Sequence, residues 1–134
     1  MTNVMSWSAA LAVGLGAALG ACARWWLGIL LNPLLPALPL GTLAANLIGG
    51  YLVGVAVGVF HLHSSLDPLL KLFIITGVLG GLTTFSTFSA ETVERLLSGR
   101  TGYALALCAL HLAGSLLMTW LGLLSVGVGR IFAE

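Results

Sequence analysis

Charged residues are scarce in this sequence. Its 134 residues include only five Lys or Arg and four Asp or Glu, so 7% are charged, against about 25% in an ordinary soluble domain. The formal net charge of +1 offers no basic surface for neutralising phosphates, which argues against nucleic-acid binding. Cysteine is also rare, and Cys22 and Cys108 both lie in apolar stretches, so no disulfide framework is expected. The sequence therefore does not describe a soluble domain.

What the sequence has instead is long apolar runs, and 59% of its residues are apolar. About 20 apolar residues in a helix cross the hydrocarbon core of a bilayer, where open sheet edges are not tolerated. The runs predict an all-α membrane protein, a single transmembrane domain of four helices over residues 1–134. The predicted spans are residues 7–31, 40–60, 69–90 and 102–126. The predicted connectors are a proline-rich segment at 32–39, a polar turn at 61–68 and a polar loop at 91–101 that includes Glu94 and Arg95.

Glycines lie in stripes on two of the predicted spans. Gly50, Gly54 and Gly58 are four residues apart on one face of the second span, as are Gly16 and Gly20 on the first. Such stripes let helix backbones approach closely, and we interpret them as packing positions. Four thin helices enclose little interior by themselves, so oligomerisation is expected.

The five basic residues divide almost evenly between the two sides of the membrane. Lys71 and Arg130 fall on one side, and Arg24, Arg95 and Arg100 fall on the other. An excess of Lys and Arg on one side sets the orientation of a membrane protein, and this split provides almost none. The sequence thus predicts dual topology, with both orientations made and paired as an antiparallel homodimer.

The third predicted span contains an unusual polar run. Residues 80–92 read GGLTTFSTFSAET, and seven of the ten residues at 83–92 are Ser, Thr or Glu. Paired glycines beside β-branched threonines lower helix propensity, so we expect the helix to break near its middle and to free backbone carbonyls. Such carbonyls persist at membrane depth only where they line a cavity or bind an ion. The alternative is a continuous helix whose hydroxyls bond to the preceding turn.

Matching polar side chains occur on other spans. Asn46 lies in the middle of the second span, where a buried amide needs hydrogen-bond partners. On the fourth span, His111, Ser115 and Thr119 repeat every four residues and form a polar track on one helix face. Taken singly, these residues are ordinary contacts between helices. Facing one another, they would make a path for a small hydrophilic species.

Three further features have both a structural and a functional interpretation. Phe85 and Phe88 lie three residues apart, as in core packing, but a phenyl ring is positive at its edge and can face an anion. Arg24 lies near the end of the first span, where its side chain can reach the interface and raise the anion concentration at a pore mouth. The H-x-H pattern in the 61–68 turn is a weak metal pattern, and we interpret it as a solvated turn.

Four segments of the chain together resemble the motifs of the Fluc (CrcB) family of fluoride channels. The most specific is GGLTTFSTFSAE at residues 80–91 in the third span. The others are GACARW at 20–25, GTLAANL at 41–47 and GSLLMT at 114–119. Chain length, number of spans and motif order agree over essentially the whole sequence.

This resemblance implies a fluoride-selective channel for passive export of fluoride across the bacterial cytoplasmic (inner) membrane, built as a dual-topology antiparallel homodimer with two pores. It also implies a structural sodium ion at the dimer centre, bound by the backbone carbonyls of Gly80 and Thr83, with Arg24 at the pore vestibule. His111 departs from the small hydroxyl residue expected at its track position. The implied fluoride pathway consists of Asn46, Phe85, Phe88, Thr87, Glu91, Ser115 and Thr119.

Other classes of protein fit the sequence less well. A small dual-topology proton-coupled multidrug transporter would share the size and the weak charge bias, but it would need a carboxylate deep in the first helix, and no acidic residue precedes Asp67. A scaffold subunit of a larger membrane complex would leave the polar run unexplained. An enzyme is not expected, because no set of His, Cys or carboxylate residues converges by spacing. ATP-driven transport is not expected, because the sequence contains no G-x-x-x-x-G-K-[ST] loop for binding ATP.

Overall fold

The computed structural model describes residues 6–127, and every regular element in that range is helical. Four helices are continuous: α1 (Trp7–Leu31), α2 (Leu40–Leu62), α4 (Phe85–Leu97) and α5 (Thr101–Ser125). Helix α3 has three consecutive parts, Pro68–Lys71, the π-helical Leu72–Leu79, and Gly80–Leu82. Four stretches are long and apolar enough to cross a membrane: Trp7–Leu34, Leu40–Leu62, Pro68–Leu97 and Thr101–Ser125. The prediction of an all-helical chain with four apolar spans is confirmed for these residues.

Polar side chains beside the connectors accept hydrogen bonds from the first turns of two helices. The Asn32 Oδ1 atom, at the end of α1, accepts a hydrogen bond of 2.8 Å from the backbone N–H of Gly41 in the first turn of α2. Asp67 Oδ1 accepts one of 2.8 Å from the Leu69 N–H at the start of α3. These bonds satisfy backbone donors that a helix leaves without partners at its first turn. Asp67, in the turn with the H-x-H pattern, therefore has a structural role as a helix cap.

The polar connector after the third span is shorter than predicted. Glu94 and Arg95 lie within α4, so the prediction that they belong to a loop is wrong. Both residues favour helices, and Arg95 also donates hydrogen bonds to the carbonyls of Pro36 (2.9 Å) and Ala37 (3.1 Å) in the proline-rich connector. The turn itself contains Gly99, whose φ of 72° is a left-handed conformation suited to glycine after a helix end.

Helices α1 and α3 pack together, and so do helices α2 and α5. A Cβ atom on Gly20 would overlap the carbonyl oxygen of Val78 in α3, and one on Gly54 would overlap the carbonyl oxygen of Thr119 in α5. Both glycines belong to the predicted stripes, whose role in close helix packing is confirmed at these positions. The stripes therefore fix the distances between the helices that surround the candidate site.

The buried apolar core is small and lies between α2 and α3. It contains Ala45 and Ala56 from α2 and Leu79 and Leu82 from α3. Many large apolar side chains on all the long helices are exposed, as expected for a protein surrounded by lipid or by another copy. Arg130, one of the basic residues used to predict the orientation, lies outside the described residues.

Candidate functional site

The helical path of the third span is interrupted at Thr83 and Thr84. Thr83 has φ −78° and ψ 152°, and Thr84 has φ −151° and ψ 121°, so both are extended between the end of α3 and the start of α4. The Thr84 hydroxyl caps α4 by accepting a hydrogen bond of 3.2 Å from the Thr87 N–H. Two threonines thus separate α3 from α4 inside an apolar span.

Asn46 of α2 holds this extended segment in place. Its Oδ1 atom accepts a hydrogen bond of 2.7 Å from the Thr84 N–H, and its Nδ2 atom donates one of 2.9 Å to the Thr84 carbonyl. The Nδ2 atom also lies 2.9 Å from Nδ1 of His111 in α5. The amide therefore replaces the helical acceptor of the Thr84 N–H and links α2 to both the interrupted segment and α5, which satisfies its own polar atoms as a buried amide requires.

A pocket of about 340 Å³ lies beside this link, and we call it the aromatic pocket. Phe88 is buried, whereas Phe85 is 71% exposed, and their rings meet edge to face with centroids 5.4 Å apart. The ring of His111 stacks on Phe88 with centroids 4.6 Å apart and an angle of 22° between the planes. The described residues that line this pocket include no Asp, Glu, Lys or Arg. They are Asn46, Gly50, Thr83, Thr84, Phe85, Phe88, His111, Leu112, Ser115 and Leu116.

The predicted polar track of α5 faces α2. Ser115 lines the aromatic pocket, next to His111. The Thr119 hydroxyl donates to the carbonyls of Gly50 in α2 (3.0 Å) and Ser115 in its own helix (2.9 Å). Its proton is thus already engaged in holding α5 against α2, so in the single chain Thr119 acts as a packing residue.

A second pocket, of about 360 Å³, contains the predicted pathway residues Thr87 and Glu91, and we call it the Glu91 pocket. The Thr42 hydroxyl donates a hydrogen bond of 2.6 Å to Glu91 Oε1. Glu91 Oε2 is buried with no hydrogen-bond partner within residues 6–127. The pocket is lined by Arg24, Trp25, Gly28, Ile29, Asn32, Thr42, Thr87 and Glu91. The structure therefore divides the predicted pathway residues between two pockets, apart from Thr119, which lines neither.

Three backbone carbonyls at the interruption have distinct environments. In a continuous α-helix the N–H groups of Thr84 and Thr87 would donate to the carbonyls of Gly80 and Thr83, but here they donate to Asn46 and to the Thr84 hydroxyl. The neighbouring Gly81 carbonyl instead accepts a hydrogen bond of 3.1 Å from Arg24 Nε. Gly80 and Thr83 are therefore two of the residues at 80–83 whose carbonyls have lost their α-helical donors.

Comparison with known proteins identifies the family of this chain. The model of the family described as CrcB-like protein, Camphor Resistance (CrcB), matches residues 11–123. The chain belongs to the CrcB family. It is also similar to three curated proteins, each named fluoride-specific ion channel FluC. They come from Dechloromonas aromatica (67% identical over 92% of this chain and 91% of the relative), Nitrosospira multiformis (62%; 86% and 90%) and Chromobacterium violaceum (57%; 89% and 94%).

Membership of the CrcB family confirms the resemblance recognised from the four motifs. Together with the four apolar helices, it makes this chain a multi-pass membrane protein. Sequence reasoning left two residues of the site out of the predicted pathway. Thr84 contributes its backbone, which residue type does not reveal, and His111 was recognised as part of the track but not as a partner of Asn46.

Proposed function

We propose that this chain is a fluoride-selective channel that lets fluoride leave the cytoplasm passively across the bacterial inner membrane. The observation that carries this proposal is the 67% identity, over almost the full length, to a relative named fluoride-specific ion channel. The aromatic pocket supports it, because its polar groups are neutral donors at membrane depth. Passive export of this kind would reduce the toxicity of fluoride.

Fluoride is small and strongly hydrated, so a pore must replace its water with other donors. In the aromatic pocket the Ser115 hydroxyl is such a donor, and Asn46 Nδ2 would become one by exchanging its bond to the Thr84 carbonyl for a bond to the ion. The edges of Phe85 and Phe88 add a weaker positive potential. A donor in a dry site interacts more strongly than it does in water, so neutral groups suffice for a single anion. A weakly hydrated anion would gain less binding free energy from these few donors. A large anion would also have to fit the same narrow space.

Fluoride would also use the Glu91 pocket. Thr87 and Glu91 would form the hydrophilic side of the pathway on α4, and Arg24 would attract anions at the pore vestibule. Thr119 would extend the track on α5 beyond Ser115. In this proposal the two pockets are successive parts of a route that a second copy of the chain completes.

We propose that the working unit is an antiparallel homodimer of two oppositely oriented copies. Two properties of the single chain support this: its basic residues indicate no preferred orientation, and Phe85 is 71% exposed although it lines the aromatic pocket. An exposed phenyl ring beside hydroxyl groups would be covered by the partner. In this unit the third span of each copy is broken in its middle, and the two breaks meet at the dimer centre.

A structural sodium ion fits the break. The carbonyls of Gly80 and Thr83 have lost their α-helical donors, and hard cations prefer oxygen ligands of this kind. One chain would supply two such carbonyls, and two chains would supply four. The ion's role would be to satisfy these carbonyls and to hold the two breaks together.

Fluoride efflux from liposomes that contain only this chain tests the function. We expect a fluoride electrode to record efflux, and a chloride electrode to record little under the same gradient. Phe85→Ile and Phe88→Ile should each reduce fluoride efflux, whereas the matched change Phe73→Ile, in the π-helical part of α3, should not. Equal passage of chloride would contradict the selectivity, and unchanged efflux in both pocket variants would contradict the assignment of the pathway.

A further inference from the structure

His111 has a buried hydrogen-bonding atom that the pathway described above does not use. Its side chain is only 3% exposed, and it lines the aromatic pocket. One ring nitrogen, Nδ1, lies 2.9 Å from Asn46 Nδ2. The other, Nε2, is buried and has no hydrogen-bond partner within residues 6–127.

The hydrogen bonds of Asn46 determine which nitrogen of His111 carries the proton. The backbone N–H of Thr84 can only donate, so the amide atom that it contacts at 2.7 Å must be the oxygen. The atom facing His111 is then the amide nitrogen, which can only donate as well. Nδ1 of His111 must therefore accept, and a neutral ring that accepts at Nδ1 carries its proton on Nε2.

The Nε2–H group is thus a donor with a fixed direction and no acceptor among the described residues. Stacking on Phe88, with ring centroids 4.6 Å apart, restricts tilting of the imidazole, and the bond to Asn46 restricts its rotation. A buried donor without an acceptor is unfavourable, and at membrane depth no bulk water replaces it. Because Nε2 is buried, a small anion would have to move from the pocket to this atom, where it would satisfy the donor.

The geometry points to His111 as a fluoride-binding residue whose Nε2–H donates a hydrogen bond to the ion in the aromatic pocket. This inference rests on the proposed function, since it assigns a further donor to the same pathway. Asn46 then has a second role, because it sets the tautomer of His111 and so keeps the donor proton on the correct nitrogen. With the Asn46 N–H that now bonds to the Thr84 carbonyl turned to the ion, the pocket would present two N–H donors of different helices, which favours a small, strongly accepting anion.

Two substitutions separate the roles of the two ring nitrogens. The amide of H111Q places an N–H donor near the position of Nε2, whereas the amide of H111N places an oxygen near Nδ1, where it can accept from Asn46. Loss of a hydrogen bond to a charged acceptor predicts that fluoride efflux from proteoliposomes falls by about ten- to a hundredfold in H111N. H111Q should retain more efflux than H111N by about tenfold or more.

The reverse order, with efflux kept in H111N and lost in H111Q, would show that His111 serves only as an acceptor for Asn46 and would overturn the inference. Loss in both variants would show that the ring is needed for stacking on Phe88, and equal retention in both would show that the position is not used; either result also overturns it. Wild-type efflux of fluoride is the control for the function. Its absence would refute the channel, whereas its presence with any of these three results would refute only the role of His111.

A second measurement does not depend on a variant that folds. In protein labelled with ¹⁵N-histidine and purified in detergent, the ring nitrogens of His111 should show the Nε2–H tautomer. Adding sodium fluoride should shift the Nε2–H resonance and give a coupling to ¹⁹F, whereas sodium chloride should do neither. An Nδ1–H tautomer, or an Nε2–H signal that fluoride leaves unchanged, would overturn the assignment.

Discussion

Replacing Asn46 with Asp tests the site at its most connected side chain. The change keeps the size and shape of the residue and the oxygen that accepts from the Thr84 N–H at 2.7 Å. It replaces the amide nitrogen with an oxygen, and that nitrogen donates to the Thr84 carbonyl and faces His111 Nδ1, both at 2.9 Å. The bond to the Thr84 carbonyl is lost and two acceptors then face each other, whereas His111 can bond to the new oxygen only by moving its proton from Nε2 to Nδ1.

The magnitude follows from these contacts. A hydrogen bond contributes about 0.5–1.5 kcal/mol net, and a buried polar group left without its partner costs about 1–3 kcal/mol. Loss of the bond to the Thr84 carbonyl, which leaves two acceptors facing each other, should therefore cost about 1–3 kcal/mol of unfolding free energy. Fluoride would also lose the amide donor, and a hydrogen bond to a charged acceptor contributes about 1.5–3 kcal/mol. Because about 1.4 kcal/mol corresponds to a factor of ten, fluoride efflux from liposomes should fall by about tenfold or more in Asn46→Asp.

The assay measures fluoride efflux with an electrode and, in parallel, the melting temperature in detergent. Asn32→Asp is the matched control for stability, because the Asn32 oxygen accepts from the Gly41 N–H at the start of α2 and an Asp keeps that acceptor. The negative charge is favourable at the start of α2 and unfavourable at the end of α1, so this variant should melt near the wild-type temperature. Wild-type efflux and melting in Asn46→Asp would refute the reasoning about the amide nitrogen.

Two further predictions concern the framework of the site. Gly54→Ala should lower the melting temperature, because its Cβ would overlap the backbone of α5. Gly14→Ala, with open space around its Cβ, should leave the melting temperature unchanged or raise it, and equal melting of the two variants would contradict the packing argument. Thr84→Val removes the hydroxyl that caps α4 and should cost about 1 kcal/mol of unfolding free energy, whereas Thr84→Ser should keep the cap; a Val variant as stable as the Ser variant would contradict this role.

Much of the fold could be predicted because the signals are local. Apolar length defines a span, and a stripe of small residues marks a helix face whatever the partner is. Phe85 and Phe88 could be paired from sequence because residues three apart share a helix face, and their rings do meet. The boundary of α4 was missed because the predicted helix ends with the apolar run, although Glu94 and Arg95 both favour helices. The bonds of Arg95 to the proline-rich connector do not follow from local composition.

The sequence by itself determined the membrane class, the four helical spans and the polar segment of the third span, because each depends on composition and periodicity over a few turns. Tertiary structure alone decided which pocket each predicted pathway residue lines: Thr87 and Glu91 line the Glu91 pocket, and Phe88 lines the aromatic pocket. It also decided that Asn46 bonds to Thr84, 38 residues away, and to His111, 65 residues away. The physical reason is that helix rotation and depth are set by packing between helices, which residue spacing along one helix does not specify.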